Sequence, residues 1–186
     1  MRKILLVLLV AFLVAGFTNA QSKMALGLNG GIALPLGDFG DNYDMGFGGN
    51  AIFVYHTNSN SDVTFTAGYL TWSGKDAYDG LNFSSIPVMV GGKYLFGKDK
   101  LRGYINGELG AHFVTVDVPS YELFGETFGG GSESKTYFGW GAGAGLLYQI
   151  GKNIDLDLGA KYNMILSENN SSDYVSIMVG LLFGLN

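Results

Sequence analysis

Apolar and polar residues alternate over most of the chain, and the alternation is most regular over residues 154–164. Successive side chains of a β-strand point to opposite faces, so a period of two predicts strands that each carry one apolar face. The pattern predicts eight strands, at residues 23–34, 46–57, 62–72, 82–96, 101–116, 137–150, 154–166 and 173–185. Most of them reach the length of about 9–11 residues that a tilted strand needs to cross a bilayer.

The connections between these strands alternate between short and long. The three short ones are rich in hairpin-turn residues, and the four others are mostly longer. The short connections are 58–61, 97–100 and 151–153, and the longer ones are 35–45, 73–81, 117–136 and 167–172. The sequence therefore predicts an all-β fold, an eight-stranded antiparallel up-and-down transmembrane β-barrel, with short periplasmic turns and long outer loops. No helical period follows the first 20 residues.

Two of the short turns also predict a register. If residues 97–100 form a four-residue hairpin loop, Phe96 lies opposite Leu101, and if residues 151–153 form a three-residue loop, Gln149 lies opposite Asp155. Both registers place the polar and glycine positions of neighbouring strands on the same face, as a correct register must.

The apolar face is predicted to look outward, towards lipid. Its aromatic side chains are too large for the interior of an eight-stranded barrel, and they collect near the strand ends as two girdles. They are Phe53, Tyr55, Tyr94, Phe96, Phe113, Phe138, Trp140 and Tyr148. The opposite face is rich in glycine, as at residues 139–145, which leaves space inside for longer neighbours. The alternative is a soluble barrel that keeps its apolar face inside.

The start of the chain and its composition predict an exported protein. Residues 1–20 resemble a secretory signal peptide, with Arg2 and Lys3 before an apolar run and small residues at the end. Its removal leaves residues 21–186 as one barrel domain and changes the net charge from −5 to −7. Charged residues make up 15% of the chain, which is low for a soluble surface, and no cysteine is present.

Three stretches carry a resemblance to a known family: LPLGDF at 34–39, IPVMVGGKYLF at 86–96 and VGLLFGL at 179–185. The chain resembles small bacterial outer-membrane β-barrel proteins of the OmpX and opacity-protein type, in the version common in the Bacteroidetes. The resemblance implies the barrel fold, the bacterial outer membrane as location, and contact with outer-membrane lipids and the barrel-assembly machinery. It implies no specific activity. Many relatives end on an aromatic residue, whereas this chain ends Leu185-Asn186.

Charged and polar residues on the inward face are predicted to form a network in the lumen. Its members are Lys93, Arg102, Asn106, Glu108, His112, Asp155, Asp157, Lys161 and Asn163. Buried charges need partners, so the first interpretation is a salt-bridge network that plugs the barrel and keeps its shape. The alternative interpretation is a path for protons or ions, although eight strands leave no open channel.

An enzyme was considered as a second class of function. Outer-membrane lipid hydrolases and acyltransferases use His with Ser and a carboxylate, and Ser84, Ser85, Glu108 and His112 are the candidates here. Glu108 and His112 lie about 13 Å apart along one strand, too far for direct contact. His56 lies near a short turn at the other end of the barrel. We assign no catalytic residue, metal or cofactor, and the glycine repeat at 139–145 lacks the following helix of a dinucleotide site.

Charges are segregated along the predicted barrel. Acidic residues dominate the long-loop end, where they either form ordinary solvated loops or meet lipopolysaccharide through divalent cations. The acidic balance disfavours binding of nucleic acid. Loop 117–136 contains Tyr121, Leu123, Phe124 and Phe128, which mark a contact surface for a ligand or extend the two flanking strands. The expected role is structural or surface interaction without an open pore, and the alternative is a lipid-modifying enzyme.

Overall fold

The chain folds into a closed barrel in which each strand pairs antiparallel with the next and β1 pairs with β8. This confirms the predicted eight-stranded up-and-down barrel. The computed structural model describes residues 23–75, 80–97, 99–123, 126–167 and 170–185, and the predicted signal peptide at 1–20 lies outside them. The strands are β1 (Met24–Leu36), β2 (Gly46–His56), β3 (Ser61–Ser73), β4 (Asn82–Phe96), β5 (Leu101–Leu123), β6 (Glu126–Gln149), β7 (Ile154–Leu166) and β8 (Ser171–Leu185).

Most of the segment 117–136, which the strand bounds left as a loop, belongs to β5 and β6, and this is the predicted alternative in which the two flanking strands are extended. β5 and β6 run through most of it as one long hairpin, whose pairing continues from Val118 opposite Gly131 to Leu123 opposite Glu126. The facing edges of the two strands hydrogen-bond to each other, and outside the membrane water can solvate their outer edges, so the strands extend without support from other strands. The contact residue Phe124 lies outside the described residues.

A short helix, α1 (Gly37–Asn42), occupies the first long connection, where the sequence showed no helical period. Gly37 begins it at a φ of 54°, in the left-handed region that favours glycine. The helix turns the chain back over the barrel mouth and buries Phe39 there.

Only one of the two predicted registers is observed. Gln149 lies opposite Asp155, as predicted, but Phe96 lies opposite Gly103 and not Leu101. The turn after β4 is wider than a four-residue loop, with Gly97 and Asp99 both at positive φ. The shift is two residues, so every side chain of β4 and β5 stays on its predicted face.

The outward direction of the apolar face is confirmed. Phe113, Phe138 and Tyr148 leave between 47% and 53% of their surface exposed around the barrel wall. The charged residues Lys93 and Glu108 are buried instead, which excludes the soluble barrel with an apolar lumen. Within the described ranges, no helix is long and apolar enough to cross a membrane.

The barrel has two unlike ends. The short-turn end carries the connections β2–β3, β4–β5 and β6–β7. The long-loop end carries α1, the connections β3–β4 and β7–β8, and the protruding β5–β6 hairpin. Between these ends the inward faces of the eight strands meet and position the candidate site.

Candidate functional site

Two ion pairs lie in the middle of the lumen, and the first joins two strands that are not neighbours. Glu108 of β5 pairs with Lys161 of β7, although β6 lies between them. A Cβ at Gly143 of β6 would lie 2.8 Å from the Cα of Lys161. Thr66 Oγ1 also donates to Glu108 Oε2 at 3.5 Å. The glycines of β6 therefore provide the space through which Lys161 reaches Glu108.

The second ion pair joins Lys93 of β4 to Asp157 of β7, with 3.4 Å between Nζ and Oδ2. Tyr104 donates its hydroxyl hydrogen to Asp157 Oδ1 at 2.7 Å. Lys93 Nζ also lies 4.1 Å from the centre of the Tyr104 ring. All three side chains are buried, so the charge of Lys93 is balanced by a carboxylate and by the face of an aromatic ring.

A small cavity of about 60 Å³ lies between the two ion pairs. Its wall includes Asn29, Asn50 and Asn106, and Asn50 Nδ2 donates to Asn29 Oδ1 at 2.9 Å. This volume holds a few water molecules, and the surrounding amides and charges are suitable partners for them. It is far too small for a lipid or another organic substrate.

Two further predicted residues lie closer to the long-loop end. Asn163 donates from Nδ2 to Ser176 Oγ at 3.1 Å. His112 Nδ1 lies 3.1 Å from Ser85 Oγ, and both side chains are almost completely buried. The other ring nitrogen of His112, Nε2, is buried and has no hydrogen-bond partner among the described residues.

Two further predicted residues pair at the short-turn end, where Arg102 donates from a terminal guanidinium nitrogen to Asp155 Oδ2 at 3.1 Å. The nine predicted lumen residues thus face inward but lie at several depths. A further pair at this end, His56 with Asp62, was missed: Nδ1 and Oδ1 lie 2.7 Å apart. The signal for it was present, because His56 and Asp62 flank the predicted turn 58–61 and lie opposite each other in the hairpin.

The long-loop end of the lumen is filled by an aromatic plug that the sequence analysis did not find. It consists of Phe39 from α1 together with Trp72, Phe83 and Tyr174 from β3, β4 and β8. Ring centres lie 5.4 Å apart for Phe39 and Trp72, and 5.1 Å apart for Trp72 and Tyr174. Trp72 Nε1 donates to the carbonyl oxygen of Ala33 at 3.0 Å, which satisfies its only buried donor. The four residues of the plug are far apart in the sequence. The path of α1 places Phe39 against the other three, and no local pattern indicates this contact.

Comparison with known families agrees with this architecture. The outer membrane protein beta-barrel domain family matches residues 4–183, nearly the whole chain. The chain belongs to this family. Its location is therefore the bacterial outer membrane, and the predicted resemblance is confirmed at the level of the family.

Several solved structures of bacterial outer-membrane barrels share the fold. Neisserial surface protein A is 20% identical, with a TM-score of 0.66, over 90% of this chain and 100% of the other. The N-terminal β-barrel domain of Pseudomonas aeruginosa OprF is 14% identical, with a TM-score of 0.54, over 88% and 98% of the two chains. The attachment invasion locus protein Ail of Yersinia pestis, solved with the heparin analogue sucrose octasulfate, is 19% identical, with a TM-score of 0.53, over 87% and 96%. No curated protein sequence gives a significant match.

Ser85 and His112, two of the candidates for the enzyme alternative, lie deep inside this outer-membrane barrel. Ser85 and His112 form a contact, but it lies beneath the aromatic plug, and the cavity beside it measures about 10 Å³. His112 Nε2 faces Gly139, where an added Cβ would lie 2.7 Å away, and not a carboxylate. A nucleophile needs both an oriented base and room for substrate. Among the described residues, no group of three His, Asp or Glu is placed to hold a metal ion.

Proposed function

We propose that this protein is a closed outer-membrane barrel that conducts no solutes and presents its β5–β6 hairpin to partners at the cell surface. The observation that carries the proposal is a contrast at the long-loop end. There the lumen is filled by packed aromatic rings, whereas β5 and β6 continue past the last strand that pairs with them. The long-loop end, where aromatic rings close the lumen, is thus also the end from which the β5–β6 hairpin protrudes.

The closure of the lumen rests on two successive barriers. The aromatic plug is tied in place by its helix, since Lys75 Nζ donates to the carbonyl oxygen of Gly40 at 2.8 Å. Below it lie the ion pairs Glu108–Lys161 and Lys93–Asp157, with only a 60 Å³ cavity between them. A hydrated ion would have to displace paired charges in a narrow lumen, at a large cost in free energy. We infer that this polar layer has a structural role and does not form an ion path.

The protruding hairpin has strand edges with no partner among the described residues. Pairing of β4 with β5 ends at Asn82 opposite Asp117, and pairing of β6 with β7 begins at Phe138 opposite Leu166. The free edge of β6 from Glu126 to residue 137 is therefore about 40 Å long at the usual rise per residue. Such an edge presents unpaired N–H and C=O groups that can pair with a strand of another protein.

The charge of the hairpin indicates the kind of partner. It carries Asp117, Glu122, Glu126 and Glu133 against Lys135. Proline blocks strand addition because it lacks an N–H, and the only proline in the hairpin, Pro119, lies on β5. The open edge of β6 therefore suits an extended, basic polypeptide segment that adds as a further strand. The acidic hairpin would repel a sulfated polyanion such as the sucrose octasulfate in the Ail structure, because both carry negative charge.

The remaining features of the proposal concern the envelope. We infer that residues 1–20 are removed as a signal peptide and that the barrel-assembly machinery inserts the chain with its long-loop end outward. The exposed aromatic side chains then contact outer-membrane lipid at both interfaces. The acidic loops face the lipopolysaccharide leaflet, where divalent cations offset their charge.

Tag insertion tests the orientation on intact cells. A tag after Gly130 should be labelled from outside, and a tag after Lys152 should be labelled only when the outer membrane is broken. Lys152 lies in a short turn, and Gly130 lies in β6 at a positive φ, in the part of the hairpin that does not pair with β7, so neither insertion interrupts the barrel wall. Labelling of the Lys152 tag on intact cells would reverse the proposed orientation.

A shortened hairpin tests the binding role. Replacement of residues 119–130 by Asn-Gly keeps the barrel pairs and removes the outer part of the hairpin, with residues 126–130 of the free edge. Selection of displayed random 12-residue peptides on the wild-type barrel in nanodiscs should enrich basic, alternating sequences that lose binding to the shortened variant. Enriched peptides that bind both forms equally would contradict the role of the hairpin, and steady channels of the wild type in a planar bilayer would contradict the closed lumen.

A further inference from the structure

The short-turn end of the barrel contains a vestibule of about 850 Å³ that opens to solvent. Ala25 and Leu182 line it and pack with Val54 in a small apolar cluster. A second apolar cluster of Leu95, Tyr104 and Leu147 reaches the ion pair Lys93–Asp157 through the Tyr104 hydroxyl. In the described part of the chain, the vestibule shares no lining residue with the cavity between the two ion pairs.

The wall of the vestibule carries more positive than negative groups. Its described lining includes the cations Lys23, Arg102 and Lys152, the imidazole of His56, and one carboxylate, that of Asp155. Asp155 already accepts a hydrogen bond from Arg102 at 3.1 Å. Neither Lys23 nor Lys152 forms an ion pair with any described residue. Two cations at the mouth thus lack a counter-charge from the described part of the protein.

His56 adds an oriented imidazole ring to the same wall. Its Nδ1 lies 2.7 Å from Oδ1 of Asp62, whose side chain is buried beneath it. This contact fixes the plane of the imidazole and leaves Nε2 as the ring nitrogen for a ligand in the vestibule. Asn58 and Ser59 of the adjacent turn line the same cavity with further polar groups.

We propose that the vestibule binds a small phosphate-bearing solute. Three cationic side chains and an oriented imidazole around one cavity match an anion with two charges and several acceptor oxygens better than a single carboxylate. A volume of about 850 Å³ lies within the usual range for small-molecule sites. That the solute comes from the periplasm rests on the orientation proposed above, whereas the binding itself does not.

The test is an NMR titration of the full barrel domain in an uncharged detergent at constant ionic strength, with inorganic phosphate as the probe. Saturable shifts are expected at the amides of Asn58, Asn153 and Gly184, with acetate at least tenfold weaker than phosphate. A parallel titration with glycerol 3-phosphate separates the sources: tighter binding than phosphate indicates a phosphate monoester, and equal or weaker binding indicates free phosphate.

Paired variants decide whether the vestibule is responsible. Lys23→Gln with Lys152→Gln should weaken phosphate binding at least tenfold. The control, Lys100→Gln with Lys135→Gln, removes the same charge from residues that do not line the vestibule and should change the affinity less than twofold. Equal losses in both variants, or shifts that grow linearly with any added salt, would overturn the proposal. Tag labelling with the opposite orientation would leave the binding intact and change only the side from which the solute enters.

Discussion

The two ends of the barrel interior differ in how they meet water. At the long-loop end, Phe39 folds back into the lumen and packs on Trp72 and Phe83, which leaves no space for solvent. At the short-turn end, the pairs His56–Asp62 and Arg102–Asp155 face an open vestibule. A connection of three or four residues is too short to return a side chain into the barrel, whereas the connection after β1 has room for a helix. Loop length therefore decides which end of this lumen is closed.

The largest expected effect is on the plug. Trp72→Ala removes a completely buried side chain and its hydrogen bond to Ala33, so it should lower the free energy of unfolding by about 3–5 kcal/mol. Urea unfolding in micelles measures this loss. Trp140→Ala is the matched control, because Trp140 faces lipid and its ring centre lies 5.8 Å from that of Tyr162 in a tilted contact; its cost should be about 1 kcal/mol. Equal costs would contradict the difference between plug and outer wall.

The second-largest expected effect is the difference in stability cost between breaking an ion pair deep in the lumen and breaking one at the open end. Glu108→Gln leaves Lys161 as an uncompensated charge in the lumen and should cost about 3–5 kcal/mol. Asp155→Asn removes a partner from Arg102 where water can replace it, so a cost of about 0–1 kcal/mol is expected. The same unfolding assay compares both variants. Addition of Lys161→Met to Glu108→Gln should restore most of the lost stability, and no restoration would mean that Glu108 acts through other contacts.

A third prediction compares lumen and lipid as environments for a charge. Leu158 lies at mid-strand on the outward face, with 49% of its surface exposed. Leu158→Arg should cost about 2–4 kcal/mol, the range for a cation at the bilayer midplane, although β7 carries Lys161 inside without harm. Leu158→Phe keeps the position apolar and should fold normally from urea into lipid vesicles. Tolerance of arginine equal to that of phenylalanine would contradict the assignment of this face.

The smallest expected effect on stability comes from an exposed ion pair of the protruding hairpin, Glu133 with Lys135. The hydrogen bond from Lys135 and its positive charge lower the pKa of Glu133 below its usual value. A depressed pKa in the folded state means that the pair contributes above the pKa of unfolded glutamate and is lost as the pH falls through the folded value. Both side chains are solvent-exposed, so Lys135→Gln should leave thermal unfolding unchanged. NMR titration should show the pKa of Glu133 returning to its ordinary value in this variant.

Much of the barrel wall could be predicted from the alternation alone. β4 and β7 begin and end at the predicted residues, since turn residues bound a regular period of two on each side. The faces of Lys93, Glu108 and Lys161 followed from the same period, because a strand has only two faces to offer. The register of β4 against β5 did not follow: a slip of two residues keeps every side chain on its face, so hydrophobic pattern cannot detect it.

The contents of the barrel depended on contacts between distant residues. Phe39 belongs to a loop with no period, and nothing local indicates that it packs on Trp72 and Tyr174. The inward charges were visible in the sequence, but their partners were not, since Lys161 reaches Glu108 across a strand of glycines. The sequence left the length of the β5–β6 hairpin open, because strands outside the membrane have no lipid face to impose an apolar period. The alternation of apolar and polar residues determined the strands of the barrel wall, whereas packing between residues distant in sequence decided which end of its interior is closed.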